Sequence, residues 1–580
     1  MGLGVLEDRK LANVPGTTYI LDDDSSPVNP DRAELSGLKY DRSGPVPIIL
    51  VPQPSDDPND PLNWPLWRRD LILAILSIVS VICTTTSPLM AANTVTTAVE
   101  FSRTFTDIAL LTGYHLCAVG IAGFLFVPTA RIWGKRHLFL LGNVIIIFSS
   151  AWGGASGKNY KSLLAARIFQ GIGLAPFEAL VNAAVGDLYY VHERGKRMAV
   201  SNVALFGGAF LTPVLVGKIT ASLGWQWTFY LVAIFSGLCL PLVYFFVPEM
   251  AFRRANHLNT DFEGDSERTN VTQPIPEAEF QSNGVSGCSG SGASGESPTN
   301  RSSESNEKRA REVTENTDMP IDPSSIQKMS FSQSLRLFNG RKTDENFFKL
   351  LLRPLPLFFH PSILWGCLIQ GVIIGWTVFI GVVLAALFLG PPLWFNEVKT
   401  GYLYTGAFIG SLLGLFLSGI FTDWSAKLMI RLNKGKYEPE FRLILVLPML
   451  IFSCMGLYGF GIVSHNIPKY GWLAPDIFFA LVLIGMVMGA VSSALYLIDA
   501  HRQIAVEAFT CLLVFKNLFS FVLTYFAYDW VVHGGQKKVF ITIATIQAGI
   551  CLLTIPMYIF GKRNRSFFHR HDILKMLHLW

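Results

Sequence analysis

The stretch LLAARIFQGIGLAPFEALVNAAV, residues 163–185, is apolar enough to lie in hydrocarbon. It nevertheless holds a full positive charge at Arg167 and a full negative one at Glu178. Eleven residues of helix make about three turns, so the two side chains share one face roughly 16 Å apart. A charge near the centre of a bilayer is costly unless it faces a packed interior or a watery cavity. This helix therefore needs neighbours.

The rest of the chain supplies them. Of its 580 residues 51% are hydrophobic and only 15% charged, with a mean hydropathy of +0.39. Soluble domains hold about 25% charged residues, so the balance points to a membrane protein. A spanning helix needs about 20 mostly apolar residues. That ruler finds six spans before residue 250, at 70–92, 107–128, 137–155, 161–184, 197–221 and 227–247. Six more follow residue 360, at 362–390, 400–423, 442–465, 475–498, 506–530 and 538–560. The fold class is an all-α membrane protein, twelve transmembrane helices in two six-helix bundles.

Arg68 and Arg69 precede span 1. Arg131, Lys135 and Arg136 fill the 2–3 loop, and Arg194, Lys196 and Arg197 the 4–5 loop. Lys427, Arg431, Lys434 and Lys436 fill the 8–9 loop, and the opposite loops are poorer in cations. The positive-inside rule puts both termini in the cytosol. The chain then divides into a cytosolic tail (1–66), a first bundle (67–250), a linker (251–345), a second bundle (346–562) and a second tail (563–580). The linker run GVSGCSGSGASGESPTNRSSESNEKRA is too polar to bury a core and reads as disordered and cytosolic. Its sequons at Asn270 and Asn300 then lie on the wrong side for glycosylation. FKLLLRPLPLFFHP (348–361) lies along the membrane surface before span 7. MGLGVLEDRK lacks the apolar run of a signal peptide and the Ser or Thr that myristoylation wants.

RIFQGIGLAP (167–176) resembles the fourth-span motif of the major facilitator superfamily, and FVPTARIWGKRH (126–137) resembles its 2–3 loop signature. GGAFLTPVLVG (207–217) resembles the fifth-span motif of its antiporters. DLYYVHERGKR (187–197), GWQWTFYL (224–231) and NKGKYEPEFRL (433–443) are similar to a fungal branch of twelve-span drug:proton antiporter-like carriers. Arg131 stands where the loop signature usually has an acid, and Thr212-Pro213 where the antiporter motif has Gly-Pro. The resemblance implies proton coupling through Arg167.

Several side chains have two readings each. Arg167 either serves that coupling or only donates to backbone carbonyls of neighbouring spans. Glu178 follows the helix-loosening Pro176. A carboxyl removed from water favours its neutral form, which suits reversible proton binding; the alternative is a packing Glu bonded to a Ser, Thr or Tyr. Lys516, mid-span 11, attracts an anionic substrate, balances Glu178, or pairs with a carboxylate of its own half. Asn517 reads as a helix–helix hydrogen-bonding residue, and His115 as either a titrating or a packing residue. Trp376, Gln370 and Trp365 of span 7 are candidates for stacking or hydrogen-bonding a substrate. Asp187, His192, Glu193 and Arg194 read as a charge network at the cytosolic face, with Asp499 alike and Asp423 ending span 8 just before a basic loop.

The cysteines lack CxxC or zinc spacing, so no metal or disulfide framework is expected. The net charge of +5 gives no case for nucleic acid. WGGASGKN (152–159) misses the phosphate-loop spacing. With neither nucleotide site nor cofactor, energy comes from an ion gradient. The expectation is a secondary transporter at the plasma membrane, working as a monomer and exporting a drug or secondary metabolite against protons. Proton-coupled uptake of a nutrient or an organic cation such as a polyamine keeps the same fold. A transporter-like nutrient sensor signalling through its linker is the reading from another class.

Overall fold

A computed structural model describes residues 3–7, 14, 16–19, 39–41, 48–50, 52–254, 328–389, 393–433 and 436–579. Among these, twelve helices are long and apolar enough to cross a membrane. The first six are α1 (Leu66–Thr84), α2 (Phe105–Trp133), α3 (Arg136–Gly154), α4 (Tyr160–Leu188), α5 (Val191–Leu223) and α6 (Trp225–Phe246). In the second half, α7 runs in three pieces, Pro361–Gly366, a wider π-helical turn Cys367–Gly371, and Val372–Leu389. It is followed by α8 (Thr405–Leu432), α9 (Val446–His465), α10 (Leu473–Ala500) and α11 (Ala505–Gly534). The last, α12, covers Gln536–Leu552 and continues as Thr554–Arg570.

Local chemistry starts and stops these helices where expected. Thr104 and Asp107 form a reciprocal capping box on α2, and the Asn159 side chain accepts from the Ser162 N–H to open α4. Several boundaries differ from the hydropathy reading, among them the end of α1 at Thr84 instead of 92 and the end of α8 at Leu432 instead of 423. The charged run from Val191 is already helical, because Arg194 reaches back to the carbonyls of Tyr189 and Gly186. Beyond residue 560, α12 continues because Lys562 and Arg565 are buried against Glu438 and Glu440. Hydropathy measures the apolar run, and a helix leaving the bilayer need not end with it.

Each half has its own apolar core. The halves meet where α2 packs along α11 and where α5 packs on α8 and the short helix Glu397–Tyr402 before it. Small residues of α2 allow the first approach: Gly120 faces the Asn517 side chain and Gly113 faces Phe521 and Thr524.

The described pieces of the first 66 residues touch both halves. Thr18–Tyr19 pairs antiparallel with Lys436–Tyr437, the Leu6 N–H donates to the Ile559 carbonyl, and Val5 is buried against Met429, Tyr437 and Phe441. On the first half, the Tyr190 hydroxyl donates to the Leu62 carbonyl, and Asp60 binds Arg254 just past that half. The linker from 255 to 327, including Asn270 and Asn300, lies outside the described residues. From 328 onward the chain passes beneath α2 and α3: the Lys342 N–H donates to the Ile132 carbonyl, Arg136 donates to the Leu335 carbonyl, and Phe338 packs on His137.

Candidate functional site

Glu178 and Lys516 lie mid-helix on α4 and α11, and the Lys516 ammonium is in contact with the Glu178 carboxylate. Their side chains are 16% and 19% exposed, so most of each charge is out of water. Among the described residues this is the ion pair that joins the two halves at mid-span. Of the three partners the sequence allows Lys516, the fold brings it Glu178.

One turn further along α4, a polar ladder extends the site. Ser201 donates to Asn182 Oδ1 at 2.7 Å and Asn182 Nδ2 donates to Asn202 Oδ1 at 3.3 Å. Sequence reasoning missed these three residues. The signal available was the i, i+4 step from Glu178 to Asn182, which places both on one face.

Arg167 is not brought to Glu178. It is fully buried and donates to the carbonyls of Thr86, Ser87 and Leu111, and to Gln170 Oε1 at 2.9 Å. Gln170 in turn donates to Ser150 at 2.8 Å. One guanidinium fork thus ties α4 to α2 and to the end of α1, with α3 held through Gln170. His115 joins this cluster, with Nδ1 3.1 Å from the Arg167 carbonyl and Nε2 3.2 Å from Ser87 Oγ. Beside them Gly171 allows the helices to touch: a Cβ there would sit 2.2 Å from the His115 carbonyl oxygen.

The remaining candidates separate. Trp376 is buried between Phe519 and Trp530, and its Nε1 has no hydrogen-bond partner among the described residues. Gln370 lies in the π-helical turn of α7 and accepts from Ser493 Oγ at 3.3 Å. Trp365 donates to Thr554 at 3.0 Å, which makes it a packing residue between α7 and α12 rather than a cavity wall. Asn517 donates to the Leu513 carbonyl of its own helix at 3.0 Å, so the helix-to-helix bond expected of it is not made. Bonding back to the i−4 carbonyl satisfies the amide donor within its own helix.

At the end of the bundle bearing the basic loops, Asp187 pairs with Lys135 at 2.7 Å and Glu193 with Arg69 at 3.2 Å. Arg194 holds backbone carbonyls, and the side chain of His192 lies outside the described residues. Asp499 pairs with Arg442 at 3.1 Å. Asp423 does not join this network: it is exposed on α8 between exposed Phe421 and Trp424, with no side-chain partner among the described residues.

A second cross-half contact sits at this end. Arg131, in the last turn of α2, pairs with Glu507 in the first turn of α11, and with Glu345 at 3.4 Å. Arg353 completes the cluster, 2.9 Å from Glu345 and 3.7 Å from Glu507. Arg131 stands where the loop signature usually has an acid, and the second half meets it with an acid, Glu507. Sequence reading missed Glu507, although an acid in the first turn of α11 also suits the helix dipole.

Outside the spans, burial works against the charge of Asp60, but the Arg254 pair and the N–H groups of Ser55 and Leu62 outweigh it and hold its carboxyl below the ordinary range. Burial likewise opposes ionisation of Glu438, and Lys562, Thr17 and Arg565 together outweigh that cost and lower it.

Two parallel six-helix bundles, charged residues along their seam, and residues 73–503 matching the Major Facilitator Superfamily settle the family. The chain belongs to the major facilitator superfamily. This is a family of transporters of small molecules, so the protein is a multi-pass membrane transporter. It is similar to Protein HOL1 of Saccharomyces cerevisiae, 24% identical over 91% of this chain and 92% of that one. It is also similar to the MFS transporter cpaT of Aspergillus oryzae, 23% identical over 88% and 90%. Among solved structures, the proton:xylose symporter XylE shares the fold at a TM-score of 0.53, with 13% identity over 85% of this chain and 96% of that one.

Proposed function

We propose that this protein is a proton-coupled transporter that exports a small organic molecule, with Glu178 as the proton site and Lys516 as its alternating partner. The observation that supports this is the Glu178–Lys516 pair across the seam. A charged Glu178 holds Lys516 and draws the halves together at mid-span. A proton on Glu178 removes that attraction and leaves Lys516 an unmatched cation facing the path, so protonation changes both the latch and the charge that a substrate meets. One carboxylate thereby links proton binding to movement of the halves.

In this reading the backbone-bound Arg167 holds the scaffold that keeps Glu178 in place, rather than exchanging protons itself. Both termini face the cytosol, the membrane is the plasma membrane, and one chain suffices for a complete path. Export is supported by likeness to relatives such as the efflux pump radE of Floropilus chiversii, 21% identical over 96% of this chain and 90% of that one. Uptake is the second reading. It is favoured by Thr212 standing where antiporter-like carriers have Gly before Pro213.

Flux in sealed vesicles under an imposed pH gradient, with a panel of organic cations, anions and neutral aromatics, tests the function and its direction. Accumulation driven by an acidic vesicle interior supports proton-linked export. Accumulation driven by an acidic exterior reverses the direction, and flux indifferent to the gradient overturns the coupling.

A further inference from the structure

We infer that residues 328–359, between the linker and α7, form a surface that binds the anionic lipid headgroups of the leaflet at the basic-loop end. The segment contains two short helices, Phe347–Leu352 and Pro354–Leu357, and a single turn at Phe331–Ser334. Large apolar side chains stand out from it although it lies outside the spans: Phe331 is 65% exposed, Phe348 69% and Phe359 84%, with Phe338, Leu352 and Leu355 also exposed. A solvated loop does not hold six such side chains in water without a partner.

The level of the segment is fixed at both ends. It runs beneath the ends of α2 and α3 through Lys342, Leu335 and Phe347, which packs on Trp133, and it enters the membrane as α7 at Pro361. That is the depth of the headgroups.

Its charge chooses the lipid. Five cations, Lys328, Arg336, Arg341, Lys342 and Lys349, lie along it with two acids, Asp344 and Glu345, while the buried Arg353 is turned inward to Glu345 and Glu507. Both acids are already engaged, Asp344 by Arg253 and Glu345 by Arg131 and Arg353. Cations interleaved with exposed rings fit an interface of acyl chains beneath anionic phosphates. The same composition would suit an acidic protein less well, because the apolar side chains are spread along the segment at membrane level rather than gathered into one pocket.

The test is amide hydrogen exchange over residues 329–359 in the full chain. The protein is reconstituted in nanodiscs of phosphatidylcholine alone or with about one-third phosphatidylserine. Each basic side chain near an anionic surface contributes roughly a fivefold preference, so exchange should slow at least about tenfold in the mixed discs and recover in high salt. The variant Arg336→Gln/Arg341→Gln/Lys342→Gln/Lys349→Gln should lose this difference. Phe348→Ser/Phe359→Ser should lower protection in both disc types while exchange in the spans stays unchanged. Equal protection in the two lipids, or a serine-lipid effect that survives the charge variant, overturns the inference. So does equal protection from soluble glycerophosphoserine or from an acidic peptide added to phosphatidylcholine discs, since either would mean that the surface serves a free anion or a protein.

Discussion

Replacing Glu178 by Gln removes one charge of the mid-span pair and leaves Lys516 without its partner. Two unit charges about 4 Å apart attract by roughly 4 kcal/mol at an effective dielectric of about 20. Removing one partner of a buried pair costs about 3–5 kcal/mol, because the other charge stays behind unmatched. Here the side chains keep 16% and 19% exposure, and water reaching Lys516 lowers the cost to about 2–3 kcal/mol. That is roughly a 30-fold to 140-fold loss in the folded-to-unfolded ratio. Lys516→Met should cost about the same, whereas Glu178→Gln/Lys516→Met should recover most of the loss, since replacing both charges is often nearly neutral. Thermal unfolding of the four purified proteins in detergent closes this double-mutant cycle. Gradient-driven flux in proteoliposomes should fail in all three variants, including the stable double one. A double variant whose loss equals the sum of the two single losses would show that the pair carries no coupling energy. A double variant that still accumulates substrate against its gradient would remove Glu178 from the proton path.

Gly171→Ala places a methyl carbon 2.2 Å from the His115 carbonyl oxygen, a backbone atom that cannot swing away. The cost should reach about 3 kcal/mol, read as loss of monodisperse protein in size-exclusion chromatography. Arg131→Glu turns attraction to Glu507 and Glu345 into repulsion at the basic-loop end, lowering the unfolding midpoint by an amount equivalent to about 1–2 kcal/mol. Adding Glu507→Arg should return part of it, because Arg353 and Glu345 then face like charges. Asp60 and Glu438 are both held below their ordinary values of 3.8 and 4.5, so their stabilisation is complete above about pH 4.5 and disappears as the pH falls through the lower folded values. The unfolding midpoint should therefore be insensitive to these groups from neutral pH down to about 5 and drop below it, less so in Asp60→Asn and Glu438→Gln. In those variants the midpoint at neutral pH should already be lower.

Hydropathy and basic-loop spacing were enough to locate twelve spans, two halves and the interruption between them. The cost of exposing backbone and charge to lipid is local, and it is written into every stretch of about 20 residues. The same cost marked Arg167 and Glu178 as side chains that need partners. Which partners they have was decided by tertiary structure. Arg167 found the carbonyls of Thr86, just past α1, and of Leu111 on α2 within its own half, whereas Glu178 found Lys516 on the far half. The difference depends on the rotation of α4 against α11, and each helix alone has the same apolar pattern in either rotation. Glu507 opposite Arg131, and Thr18–Tyr19 paired with Lys436–Tyr437, are likewise contacts between segments far apart in the chain. Local periodicity fixes how a helix forms and whether it can enter a bilayer. The identity of the residue across the seam follows from the packing of whole helices.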